Sequence, residues 1–294
     1  MLNIKNNKID FDKVGFIILK PDTVYQGLEN NIWSFFKERG FKLIGMKSFD
    51  ITKERRKKLY KDFFVSSRTN WGLGGEFYSL GKSLGLIVTC SPPKEFQTTS
   101  SYISDYLKGN FIPEKAQCDT VRGKFNAINP VFNLIHSSDD TENLMREINI
   151  FFNPEELKNI FIGCIEEPIL DFKKSKQILD FTDIYFKVKK SLYSLGDYSN
   201  DNDYLEYLNS KHRYLKQIKV QDLRLNFLSY LREENNLYKK MIKKDTYLNV
   251  FCDYENFQKL DYDTLFKEIE DKGIILDKWE KYLLKTTMYY VEFC

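Results

Sequence analysis

Asn133-Leu134-Ile135-His136-Ser137-Ser138-Asp139 is the stretch on which the first half of this chain turns. Residues 131–135 suit an extended run that ends at His136, and Ser137, Ser138 and Asp139 then offer polar, helix-capping groups. Asp139 with Glu142 three residues on resembles a capping box, and Leu144, Ile148 and Phe151 follow at helical spacing. His136 thus lies at a strand-to-helix corner, where a rigid element presents a side chain as a nucleophile requires. The same local pattern fits a surface or capping histidine equally well. Histidine is scarce: the second of the two is His212, in Ser210-Lys211-His212-Arg213, which reads as a solvated helix face.

Outward from that corner, short apolar runs alternate with helical patterns. Residues 14–19 form a β-type run closed by Lys20-Pro21-Asp22. Residues 28–39 place Ile32, Phe35 and Phe36 at helical spacing, and Gly40 stops them. Residues 41–46 are extended, 52–64 helical, 84–89 a third strand and 131–136 a fourth. The alternation predicts a layer of helices packed on a sheet. After Pro168 proline disappears and only Gly196 and Gly273 remain, which suits helices. Residues 176–193, 204–218, 221–243 and 278–291 carry apolar positions at i, i+3, i+4 spacing, and 196–203 reads as a loop. Two domains follow, 1–165 and a helical 166–294, with the boundary near 160–175.

A 42% apolar share supports a buried core, and the 294 residues suit two domains. The net charge of +3, with acids and bases interspersed, predicts no nucleic-acid partner. The lysine-rich runs 53–58 and 239–244 read as solvated surfaces. Five scattered cysteines without a CxxC pair exclude zinc and redox motifs. Neither a basic-then-apolar leader nor a membrane-length apolar run is present, so a soluble, reduced, cytoplasmic protein is expected, with no membrane contact.

A wider set of residues goes further. Phe16-Ile17-Ile18-Leu19-Lys20-Pro21-Asp22 is followed by Gly27-Leu28 and Gly40-Phe41-Lys42-Leu43. Then come Thr120-Val121-Arg122-Gly123-Lys124-Phe125, Asn133-Leu134-Ile135-His136, Glu147-Ile148 and Phe152-Asn153-Pro154-Glu155-Glu156-Leu157. In order and spacing this set resembles the nucleoside diphosphate kinase family over residues 13–160. The resemblance implies an α+β ferredoxin-like sandwich, a four-stranded antiparallel sheet with helices, here followed by an all-α C-terminal domain. It implies a γ-phosphoryl transfer from a nucleoside triphosphate to a diphosphate through phosphorylated His136, with Mg2+ bound through the nucleotide's phosphates and no direct protein ligand. Lys20 and Arg122 would bind phosphate, Asn133 the ribose, and Glu147 with Ser138 would orient the histidine. Tyr60 matches a tyrosine near the catalytic centre, and Phe64 is the expected base-stacking residue, with Phe63, Trp71 and Phe77 as alternatives. Family members are usually hexamers or tetramers, so a homo-oligomer is expected. The C-terminal helices resemble no family and suit a protein partner.

Two departures stand out. The family's second phosphate-binding arginine falls on Asp105 and its phosphate-binding threonine near Phe111; Arg68 or Lys108 are the available substitutes. Residues 66–79 are rich in glycine and aromatics, and read as a mobile lid. The alternative to a kinase specialised for particular nucleotides is therefore a catalytically impaired nucleotide-binding or scaffold protein on the same fold.

Overall fold

The computed structural model describes residues 9–61, 71–163, 178–196, 202–242 and 246–292. They fall into two compact units, one of residues 1–127 and 131–177, the other of 128–130 and 178–294. The expected boundary lies mostly within 164–177, outside the described residues.

In the first unit, β1 (Val14–Leu19) is buried at all six positions, which explains its unbroken apolar run: both faces are covered. It pairs antiparallel with β3 (Ser83–Thr89) on one side and β4 (Ile135–Ser137) on the other, and β2 (Lys42–Phe49) pairs with β3, for the order β2-β3-β1-β4. The four-stranded antiparallel sheet carries helices on both sides. Ile17 and Leu19 share a core with Ile32, Phe35 and Phe36 of α2 (Glu29–Lys37). Phe16 points the other way, to Phe151, which itself stacks on Phe49 with ring centroids 4.1 Å apart. Such a pair adds about 1 kcal/mol to simple burial.

Between these lie α1 (Pro21–Gln26), α3 (Lys53–Leu59), α4 (Trp71–Phe77), α5 (Thr99–Ser101), a π-helical turn over Tyr102–Leu107, and α6 (Val121–Lys124). After β4 come α7 (Thr141–Phe151) and α8 (Pro154–Ile162). Two expectations need correction. The fourth strand is only three residues long, because Leu134 takes φ 72° and breaks the extended run. The cap of α7 is Asp140, whose side chain accepts from Asn143 N at 2.7 Å, while Asp139 turns to Lys108. The glycine-rich segment read as a mobile lid is helical over Trp71–Phe77; its residues 66–70 lie outside the described set.

The second unit is helical: α9 (Phe181–Leu195), α10 (Asn202–Gln217), α11 (Val220–Ile242), α12 (Thr246–Val250), α13 (Tyr262–Asp271) and α14 (Lys278–Tyr289). Asp180, Asp261 and Asp277 cap α9, α13 and α14, each such cap being worth about 1 kcal/mol. Residues 128–130 belong to this unit, where Asn129 donates to the Thr286 and Thr287 hydroxyls at 3.0 and 2.9 Å. His212 departs from the solvated face expected of it. Its ring stacks on Phe186, and its two nitrogens meet Asp183 Oδ1 and Lys190 Nζ at 2.8 and 3.0 Å.

Candidate active site

The centre of the site is built where β1 ends. Lys20 is extended and caps α1, with Pro21 at the first helical position, so the strand delivers its side chain into the interior. The ammonium donates to Val131 O and to Asn133 Oδ1, both at 2.6 Å, and lies 4.6 Å above the centre of the Phe77 ring. These oxygens are neutral. Burial therefore pushes the Lys20 pKa down to about 7, against the pull of Asp22 and with a further push from Arg122.

Asp22 is fully buried. Its Oδ2 accepts from Leu134 N at 2.9 Å, and its Oδ1 has no hydrogen-bond partner among the described residues. Burial raises its pKa despite Lys20 nearby. Leu134, in the left-handed region, bears a strain of about 1–2 kcal/mol. Both of its peptide groups are clamped: Asp22 takes the N–H, while Lys20 N and Thr23 Oγ1 donate to its carbonyl at 2.9 and 2.6 Å. The turn thus held separates Asn133, which meets Lys20, from the strand that carries His136.

Arg122 is buried between these parts. It donates through Nε to Asn133 O, through Nη1 to Gly109 O and through Nη2 to Ile135 O, at 3.1, 2.9 and 2.9 Å. Three of its five donors are thereby spent on backbone, leaving two for a ligand. Burial lowers its pKa to about 10.

His136 pairs across the sheet with Ile18 and is partly exposed. Its Nε2 meets Glu147 Oε2 at 2.9 Å, and Ser138 Oγ donates to that same oxygen at 2.8 Å. The other oxygen of Glu147 accepts from Arg146 Nη2 at 3.0 Å. Glu147 sits on the buried face of α7, so the helix read from Leu144, Ile148 and Phe151 also carries the carboxylate. Nδ1 of His136 takes no part in these bonds. The Tyr60 ring stands edge-on to the imidazole at 5.4 Å, and its hydroxyl bonds that of Tyr78 at 2.6 Å. Burial pushes the Tyr60 pKa up to about 12, so it is a neutral neighbour.

Lys20, Arg122 and Asn133 are thus joined by direct contacts, as are His136, Ser138, Glu147 and Tyr60, and the two groups meet through the Ile135 carbonyl that Arg122 bonds and through Tyr78, which lies between Lys20 and Tyr60. Phe64 lies outside the described residues. Phe77, an alternative to it, is buried beneath Lys20 and against Phe132. Asp22, Thr23, Tyr78 and Arg146 also belong to the site without having been assigned roles from sequence. Asp22 carried a signal, in the Lys-Pro-Asp run, whereas the other three carried none, because a hydroxyl or guanidinium on a helix looks like a surface group until its partner is placed.

The family model for nucleoside diphosphate kinase matches residues 13–157. The nucleoside diphosphate kinase of Fervidobacterium nodosum is 33% identical over 152 residues, which are 52% of this chain and 97% of that protein. This chain belongs to the nucleoside diphosphate kinase family. The enzyme of that name from Thermococcus kodakarensis is 32% identical over 146 residues, 48% of this chain and 77% of its own. Nucleoside diphosphate kinase II of the Arabidopsis thaliana chloroplast is 34% identical over 142 residues, 48% of this chain and 57% of its own. No family matches the C-terminal half. The unit that holds these residues is thus the kinase unit, and apart from residues 128–130 the helical unit lies beyond the family's span.

Proposed function

We propose that the kinase unit moves the γ-phosphoryl group of a nucleoside triphosphate to a nucleoside diphosphate through phosphorylated His136. One observation carries the reading: among the described residues Glu147 holds Nε2 of His136 and leaves Nδ1 uncommitted, while buried Arg122 bonds the carbonyl of the preceding Ile135 and buried Lys20 bonds Asn133. In the first half-reaction neutral His136 attacks the γ-phosphorus with Nδ1. The Nδ1–P bond forms as the bond from phosphorus to the β,γ-bridging oxygen breaks, and the electron pair leaves on the diphosphate. The Nε2 proton stays in place, and Glu147 stabilises the positive charge that develops on the ring. A second diphosphate then takes the phosphoryl group by the reverse steps.

Lys20 and the two remaining donors of Arg122 would bind phosphate oxygens, and Asn133 with Lys20 the ribose hydroxyls. Mg2+ would be carried in with the nucleotide, bound through its phosphates, and would supply charge against the phosphoryl oxygens. A second reading, a scaffold that binds nucleotide without turnover, draws on Asp105 in place of a clamp arginine and on the three donors Arg122 spends on backbone.

Incubation with γ-labelled ATP and magnesium separates the two readings. An acid-labile, base-stable label on wild-type protein that is lost in His136→Ala supports the kinase; equal labelling of both proteins, or of neither, rejects it.

A further inference from the structure

Asp105 does not fill the place of the lost clamp arginine. It is exposed and accepts a hydrogen bond from its neighbour Ser104 at 2.6 Å. The next turn holds a better candidate. Residues Tyr102–Leu107 form a π-helical turn closed by Lys108 N donating to Ile103 O at 2.7 Å, an i to i+5 bond. This wide turn takes the following side chains out of α-helical register.

Lys108 leaves it towards the active centre. Its carbonyl accepts from Arg122 N at 3.2 Å, and the next carbonyl, of Gly109, accepts from Arg122 Nη1 at 2.9 Å. Gly109 has φ 84°, and a Cβ there would lie 2.3 Å from Thr120 Oγ1, so only glycine lets this strand of chain press against α6. The ammonium of Lys108 reaches Asp139 Oδ1 at 3.1 Å, one residue past Ser138, whose hydroxyl bonds Glu147. The lysine side chain is 16% exposed, whereas Asp139 is 66% exposed. A mostly buried cation close to Arg122 and Glu147 thus has, among the described residues, only a solvated carboxylate for a partner. Burial lowers its pKa accordingly, with Asp139 opposing.

We propose that Lys108 is the second phosphate-binding cation of this site, taking over from the missing arginine, and that Asp139 holds it until phosphate displaces the carboxylate. The proposal rests on the nucleotide-binding reading above. It also assigns Asp139 a role that the capping pattern hid: Asp140 caps the helix, which leaves Asp139 available as the placeholder.

The test is titration calorimetry of the full chain with Mg·ADP and with adenosine, alongside His136 labelling. Lys108→Gln should weaken ADP binding about 10- to 100-fold, the loss expected for one charge-assisted bond, and change adenosine binding less than about twofold. Lys108→Arg should stay within about threefold of wild type for ADP, which guards against a fold defect in the glutamine variant. Asp139→Asn should bind ADP as tightly as wild type or tighter. Unchanged ADP affinity in Lys108→Gln would overturn the proposal while leaving His136 labelling, and the kinase reading, intact. Wild-type protein that binds ADP but never labels would sink the kinase mechanism alone, with Lys108 still judged by its ADP affinity. Absence of any ADP binding would overturn both.

Discussion

The two units each bury a lysine, and they treat it oppositely. In the helical unit Lys189 is fully buried and pairs with Glu234; it also donates to the Tyr185 and Tyr230 hydroxyls at 3.1 and 2.9 Å. Tyr204 and Tyr230 hydroxyls close the other oxygen of Glu234 at 2.8 Å each. Burial works against the charge on Lys189, yet the carboxylate beside it wins and holds its pKa well above the ordinary value. In the kinase unit Lys20 donates only to neutral oxygens among the described residues, burial outweighs the pull of Asp22, and its pKa falls to about 7. A structural cluster neutralises its own charge, whereas a site for anions leaves a cation in need of one. The distinction lies in the partner, since the residue type and the burial are the same.

The most severe test falls on the closed cluster. Lys189→Met strands a buried carboxylate, and should cost the helical unit about 3–5 kcal/mol in urea unfolding; Lys189→Met with Glu234→Leu should recover most of it. If the single variant is as stable as wild type, the cluster is not closed in the sense argued. Lys20→Met should do the reverse. Turnover should fall about 10²–10³-fold, the range for one preorganised charged donor, with a loss of unfolding free energy well below that of Lys189→Met, because the oxygens left behind are neutral. A loss of stability like that of Lys189→Met would show that Lys20 is structural after all.

Arg122→Ala should lower turnover by at least about a hundredfold. It should also destabilise the kinase unit, because the buried carbonyls of Asn133 and Ile135 and the half-buried carbonyl of Gly109 each lose a donor; intact stability would mean water replaces the guanidinium.

The pH dependence sharpens the comparison further. Between about 7 and the ordinary lysine value of 10.5, the unfolded chain binds a proton at position 20 that the folded chain does not. The Lys20 contribution to stability therefore rises with pH across that window and is constant below it. Phosphate binding needs the charged form, so above pH 7 nucleotide binding should take up close to one proton. Calorimetry at pH 8 in buffers of different ionisation enthalpy measures that uptake; none would mean that Lys20 is already charged in the free protein.

The smallest effect is expected at Asp105, which is exposed. Asp105→Arg should leave turnover within about threefold of wild type or raise it, and a severe loss in a folded protein would give Asp105 a function of its own.

Much of this was legible in residue order alone. The apolar runs of β1 and β3, the helical spacing of α2 and α7, and the proline-poor helical half follow from local periodicity. Lys20, Arg122, Asn133, His136 and Glu147 were named instead through the family resemblance, whose motifs are contiguous in sequence. Tertiary structure decided the rest. Lys20 bonds groups 111 and 113 residues away, and no local pattern states whether such a lysine meets a carboxylate or a carbonyl. The strained Leu134, clamped from α1, shortened the last strand, and the π turn and Gly109 brought Lys108 beside Arg122. Periodicity reports which face of an element is buried; the charge state of a buried group depends on what the opposite wall supplies, and only folding brings that wall into place.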